Sequence, residues 1–137
     1  MTGTVTSSVE TVKALYEAFA RGDIETVMAA MADDVEWHEA EGNPWHPGHA
    51  FIGPQQVLEN VIARIPEEYD DFRIESRRLL GSGDTVVMEG RYHATRCKPT
   101  GKPLDAQVVH ILDFGDGKVV RWQQYVDTRQ LAEVLGA

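Results

Sequence analysis

From Phe72 onward the chain runs in four segments of period-two alternation, 72–80, 85–95, 104–114 and 119–127. Turn residues separate them: Gly81-Ser82-Gly83-Asp84, a loop from Pro99 to Pro103, and Gly115-Asp116-Gly117-Lys118. Alternation of this kind specifies half-buried antiparallel strands. Before Phe72 the apolar residues follow the helical period instead. Helices first and a run of strands afterwards give an α+β fold, a curved antiparallel sheet wrapped around the N-terminal helices. The order excludes doubly wound nucleotide folds, and neither G-x-G-x-x-G nor G-x-x-x-x-G-K-[ST] occurs.

The first helix is expected to start at the capping box Ser7-Ser8-Val9-Glu10 and to present Val9, Val12, Leu15/Tyr16 and Phe19. Gly22 ends it, and Asp23 caps a short second helix through Met31. A strand is expected over Val35–Ala40, with Val35, Trp37 and Glu39 on one side. A loop rich in Gly, Pro and His follows. Pro54 opens a third helix, which carries Val57/Leu58, Val61/Ile62 and Ile65 and stops at Pro66. A short helix from Thr128 to Leu135 closes the chain. The 137 residues suit a single domain, 1–137, with residues 1–6 expected to be flexible.

Lys and Arg number 13 against 22 Asp and Glu, a net charge of −9, so nucleic acid and anionic membrane surfaces are unfavourable partners. The single cysteine, Cys97, excludes an internal disulfide. Its loop neighbours Arg96 and Lys98 could lower its pKa, but no base is placed for it. The N-terminus lacks the basic and apolar regions of a secretory signal, and no apolar run could span a bilayer. The expectation is a soluble, cytoplasmic protein.

Asp116-Gly117 is the type I′ dipeptide of a two-residue hairpin. With that turn, opposed residues sum to 233, so His110 faces Gln123, Val108 faces Tyr125 and Ala106 faces Asp127. Directly opposed residues share a sheet face. One face then carries His110, Gln123, Tyr125 and Asp127 among small and apolar residues, and reads as a pocket wall. The other carries Val109, Ile111, Val120, Trp122 and Val126. It is too apolar to stay wet and reads as the interface of a homodimer. In the strand before, neither parity is cleanly apolar, and the facing of Glu89, Arg91 and His93 stays open.

The segments YEAFARGDIETVMAAMADDVEW (16–37), FIGPQQV (51–57) and DGKVVRWQQYVDT (116–128), in this order of elements, resemble the ketosteroid isomerase-like superfamily, which shares the nuclear transport factor 2-like fold, and specifically its SnoaL-like polyketide cyclase branch. The resemblance implies a cone with a deep apolar pocket, commonly dimeric through the outer face of the sheet. It implies catalysis by one carboxylate base and separate hydrogen-bond donors to an enolate oxygen. The isomerase base falls on Glu39, five residues after Asp33-Asp34, and the acidic donor falls on His110. The tyrosine donor falls on Leu15, beside Tyr16, so the steroid constellation is not reproduced. The His and Asp of the cyclases correspond to His110 and Asp127.

The candidate catalytic residues are therefore His110, Asp127 and Glu39. His110 is an acid, a base or an oxyanion donor, or else a core histidine with its nitrogens tied up. Asp127 is either a base with a pKa raised by burial or the cap of the last helix. Substrate-binding candidates are Tyr125, Gln123, Trp37, Tyr16, Phe19 and Trp45, the last with Phe51 in a loop that would cover the pocket mouth. No metal is expected: the loop's His38, His46 and His49 lack ligand spacing, and a Gly-Pro loop is no fixed platform. The leading reading is a cofactor-free acid/base enzyme acting on a small apolar carbonyl compound by isomerisation, cyclisation or dehydration. The alternatives are an epoxide hydrolase-like enzyme, which needs two carboxylates flanking an inward arginine, and a non-catalytic small-molecule-binding module.

Overall fold

The computed structural model describes residues 4–137, with side chains from Ser8 onward. Helix α1 spans Thr4–Ala20. The Ser7–Glu10 box thus lies inside the helix rather than at its start. Residues 4–6, expected to be flexible, belong to its first turn, and residues 1–3 lie outside the described residues. Val12, Leu15, Tyr16 and Ala18 are buried along one side of α1, the amphipathic stripe that packs on a sheet. Helix α2 (Ile24–Ala29) is capped by Asp23, whose side chain accepts from the Thr26 amide at 3.2 Å.

Strand β1 (Met31–His38) buries Met31, Val35 and Trp37. Glu39 follows the strand end and is itself buried. After the loop come β2 (Phe51–Ile52) and α3 (Pro54–Val57). The expected single helix then breaks into a π-helical turn, Leu58–Ile62, and α4 (Ile65–Glu68). The Ala63 amide donates to the Leu58 carbonyl at 2.8 Å. This wider turn buries the consecutive residues Val61 and Ile62 together. Pro66 does not stop the helix. It sits in the first turn of α4, where a missing N–H costs no hydrogen bond.

The remaining strands are β3 (Tyr69–Asp70), β4 (Arg73–Ser82), β5 (Thr85–Ala94), β6 (Arg96–Cys97), β7 (Leu104–Gly115) and β8 (Lys118–Val126), followed by α5 (Thr128–Leu135). Six of the strands form one curved sheet in the order β2-β1-β8-β7-β5-β4, and β3 pairs with β6 separately. The sheet is not wholly antiparallel, because β1 runs parallel to β8.

The Asp116-Gly117 turn forms as expected, with φ of 51° and 77°. Gly115 faces Lys118 and Phe114 faces Val119, but a β-bulge then leaves Val120 without a partner. Beyond it Asp113 faces Arg121, Leu112 faces Trp122 and His110 faces Gln124. Two residues against one shift the register by one and exchange the faces of β8. The physical reason lies in what each register buries. Without the bulge, Arg121 and Asp127 would point into the core and Trp122 would point out. Burying a charge without a partner costs several kcal/mol, and burying an indole is favourable. Trp122 and Gln124 therefore point inward, Gln123 and Tyr125 outward, and Tyr125 is 53% exposed.

In β5, Val86, Met88, Gly90, Tyr92 and Ala94 are buried, which turns Glu89, Arg91 and His93 outward. Arg91 pairs there with Asp105 at 2.6 Å, and His93 with Glu75 at 2.7 Å. Gly90 lies beside a second bulge, in β4 between Ser76 and Arg78. A Cβ at Gly90 would collide with the Glu75 carbonyl oxygen, so only glycine allows this close approach. The outer face retains half-buried Val109 and Ile111 but not Trp122. No helix among the described residues is long and apolar enough to cross a membrane.

Candidate functional site

Helix α1, the inner face of the sheet, the loop after β1 and the π-helical turn enclose a cavity of about 60 Å³. Leu15, Phe19, Val61, Ile62 and Phe72 give it apolar walls. The polar groups among them are few.

His110 projects inward from β7 and is almost fully buried. Its Nδ1 lies 2.7 Å from the Tyr16 hydroxyl and its Nε2 lies 2.6 Å from the Tyr92 hydroxyl. Burial pushes its pKa down to about 3, so the ring is neutral at pH 7, with one nitrogen donating and the other accepting. The neighbours favour one tautomer. The Ala40 backbone N–H donates to Gln124 Oε1 at 3.2 Å, as does Asn43 Nδ2 at 2.8 Å. That fixes the orientation of the Gln124 amide, whose Nε2 donates to the Tyr92 oxygen at 2.9 Å. The Tyr92 hydroxyl then donates its own proton to His110 Nε2, and Nδ1–H donates to the Tyr16 oxygen. In that tautomer the relay runs in one direction, and the Tyr16 hydroxyl accepts from the ring rather than donating to it. Burial raises the pKa of both tyrosines well above the usual phenol value, so both keep their protons. A chain of aligned hydrogen bonds polarises its terminal donor.

Glu39 lines the same cavity. Its Oε2 accepts from the Trp37 indole N–H at 3.3 Å. Desolvation pushes its pKa up to about 7; the Trp37 hydrogen bond and the charge of Arg64 offset this only in part. The Arg64 guanidinium lies 4.6 Å from the centre of the Trp45 ring and binds Glu68 Oε2 at 2.8 Å. The indole of Trp37 stacks on Trp122 at 4.3 Å, and Trp122 packs 4.8 Å from His110.

Of the residues expected at the site, the structure gathers His110, Glu39, Tyr16, Phe19, Trp37 and Trp45 around one cavity. It places three elsewhere. Gln123 and Tyr125 lie on the outer face because of the Val120 bulge. Asp127 stands outside the cavity as the N-cap of α5, its Oδ1 accepting from the Gln130 amide at 3.1 Å. Tyr92, Gln124 and Asn43 are lining residues that the sequence did not single out, and Trp122 lines the cavity instead of the outer interface face expected for it. Tyr92 opposes small, buried Ala106 across β5 and β7, and that pairing is the signal that could have found it. Glu39 is the only carboxylate among the described lining residues, and no arginine is among them. Arg121 points to Asp113 on the outer face, at 3.9 Å. The carboxylate–arginine–carboxylate floor of an epoxide hydrolase is therefore not assembled. Among the described residues no three His, Cys, Asp or Glu side chains gather as metal ligands. His38 bonds Glu36, and His46 accepts from the Gly48 amide.

The sequence matches the SnoaL-like domain over residues 12–122. The chain belongs to the SnoaL-like family. An NTF2-like protein from Burkholderia thailandensis superposes with a TM-score of 0.87 at 30% identity, covering 93% of this chain and 96% of that one. TerC, a structure co-crystallized with polyporic acid, gives 0.83 at 28% identity over 96% and 99%. A SnoaL-like protein from Jannaschia sp. CCS1 gives 0.81 at 18% identity over 100% and 97%, a likeness of fold alone. The SnoaL-like fold is one of small-molecule-binding and isomerase- or cyclase-type proteins.

Proposed function

We propose that this SnoaL-like protein is a general acid/base enzyme that abstracts a proton next to the carbonyl of a small apolar compound. Glu39 is the base and the Tyr16 hydroxyl is the donor to the developing enolate oxygen. The observation that carries the reading is a buried carboxyl with a pKa of about 7, sharing an apolar cavity with the Tyr16 hydroxyl, which lies 2.7 Å from His110 Nδ1. A base is most effective when its pKa lies near the working pH. His110, Tyr92 and Gln124 are positioning residues: they hold the Tyr16 oxygen as an acceptor from the ring and so turn its proton toward the substrate. The neutral imidazole keeps its proton throughout and transfers none. Proton abstraction leaves Glu39 protonated, and it returns the proton to a different carbon (isomerisation) or to the leaving oxygen (dehydration). The co-crystallization of TerC with polyporic acid makes that compound a first ligand to try in this cavity.

Hydrogen–deuterium exchange tests the reaction without knowledge of the product. With 2-tetralone in D₂O, the protein is expected to speed deuterium incorporation at the α-carbons, with a rate that rises through pH 7. Glu39→Gln should abolish the acceleration. Tyr16→Phe should lower it by about 10²-fold, the usual cost of one oxyanion donor. Exchange no faster with the wild-type protein than with Glu39→Gln refutes the proposal.

A further inference from the structure

Three tryptophans occur in the chain, and all three line the cavity. Their indole N–H groups are not equivalent. That of Trp37 donates to Glu39. Those of Trp45 and Trp122 are buried and have no hydrogen-bond partner. A buried donor left unpaired costs about 1–3 kcal/mol, and folded proteins keep few of them. The Arg64 cation over Trp45 and the stacking of Trp122 on Trp37 use the ring faces and leave the two N–H groups unexplained. Phenylalanine also fills an apolar wall and brings no donor, and an indole is normally placed where its N–H can reach a partner.

The two orphans occupy different parts of the site. Trp122 lies in β8 between Trp37 and His110. Trp45 lies in the loop after β1, against Tyr69 and under Arg64. In the His110 tautomer that Gln124 favours, the Tyr16 hydroxyl is a third donor. Against these, the cavity offers one ionisable acceptor, Glu39. The residues that line it thus hold more unpaired donors than acceptors, and a complementary ligand is acceptor-rich.

We propose that the Trp45 and Trp122 indole N–H groups are ligand-binding donors, and that the cavity takes a flat apolar molecule carrying at least two separate acceptor oxygens. The proposal rests on the same cavity as the proposed reaction and names its ligand's chemistry. It concerns binding and does not require Glu39 to act as a base. A ligand with two carbonyl or phenolate oxygens satisfies both orphans at once, while a hydrocarbon of the same shape leaves both unpaired. Sites built to hydrogen-bond a polar group discriminate strongly against analogues that lack it.

The test uses isosteric probes on the full chain carrying Glu39→Gln, so that turnover plays no part. The probes are 1,4- and 1,3-diacetylbenzene with two acceptors, 4-ethylacetophenone with one, and 1,4-diethylbenzene with none. Three indole signals are expected in a proton–nitrogen NMR spectrum, assigned by Trp→Phe variants. A diacetylbenzene should move the Trp45 and Trp122 signals downfield, and 1,4-diethylbenzene at saturation should not. Trp45→Phe and Trp122→Phe should each weaken the diketone about tenfold, the usual worth of one hydrogen bond, and leave the hydrocarbon within about twofold. Indole signals unmoved by bound diketone overturn the proposal. So do Phe variants that weaken all probes alike, or failure of every diketone to bind. If the indoles respond but the Glu39-containing protein shows no α-carbon exchange, the binding proposal stands and the proposed reaction falls.

Discussion

Glu39→Gln is expected to stabilise the protein at alkaline pH while removing its base. The Glu39 carboxyl is raised from 4.5 to about 7 by burial. The folded chain therefore holds a proton between those values that the unfolded chain has released. Stability falls as pH rises through this window and levels off above it. At ~1.36 kcal/mol per pH unit, ionised Glu39 makes the folded state roughly 3 kcal/mol less stable than the same fold with the proton retained. Glutamine keeps a carbonyl oxygen for the Trp37 N–H and carries no charge. Its amide group brings a cost of its own, but that cost does not depend on pH. The difference in unfolding free energy between variant and wild type should thus shift in favour of the variant by about 3 kcal/mol between pH 4 and pH 8.5. For a chain of this length that corresponds to a relative gain in Tm of roughly 10 °C. Urea unfolding at both pH values, followed by circular dichroism, reads the effect. All other titrating groups are common to the two proteins and cancel. A difference that is the same at pH 4 and pH 8.5 would refute the assignment of a perturbed carboxyl at Glu39.

Other expectations follow from particular contacts. Asp127→Ala removes the cap of α5 and should cost about 1 kcal/mol by urea unfolding, with α-carbon exchange unchanged; loss of exchange with the fold intact would return Asp127 to the site. Gly90→Ala should cost roughly 2–3 kcal/mol or prevent folding, because its Cβ meets the Glu75 carbonyl oxygen; a variant as stable as wild type would show that β4 can move aside. The half-buried Val109 and Ile111 on the outer face are expected to join two copies of the chain. Sedimentation should give a dimer that Ile111→Glu loosens, and a wild-type monomer at micromolar concentration would refute this.

Much of the architecture is legible in the residues themselves. Period-two alternation after Phe72, helical periods before it and Gly/Asp turns between them determine where strands and helices lie, because side-chain direction follows from local backbone geometry. The same local rules locate the Asp116-Gly117 turn and the inward direction of His110. The position of Glu39 beside Trp37 at the end of β1 is likewise readable from β1 alone. Where local preference is balanced, only the assembled sheet decides. The β7–β8 turn permits either register of β8. The bulge at Val120 is chosen by the cost of burying Arg121 against the gain from burying Trp122, a comparison that needs the helices and β1 in place to define inside and outside. That choice moves Gln123 and Tyr125 out and brings Trp122 and Gln124 in. The parity of β5, and with it Tyr92 at the site, is set by its pairing with β7. Asp127 reads equally well as base or cap until α5 is in place. The pKa of Glu39, the tautomer of His110 and the unpaired N–H groups of Trp45 and Trp122 depend on exclusion from water and on partners distant in sequence, 94 residues apart for Tyr16 and His110. No local pattern encodes those, and only the closed tertiary structure creates them.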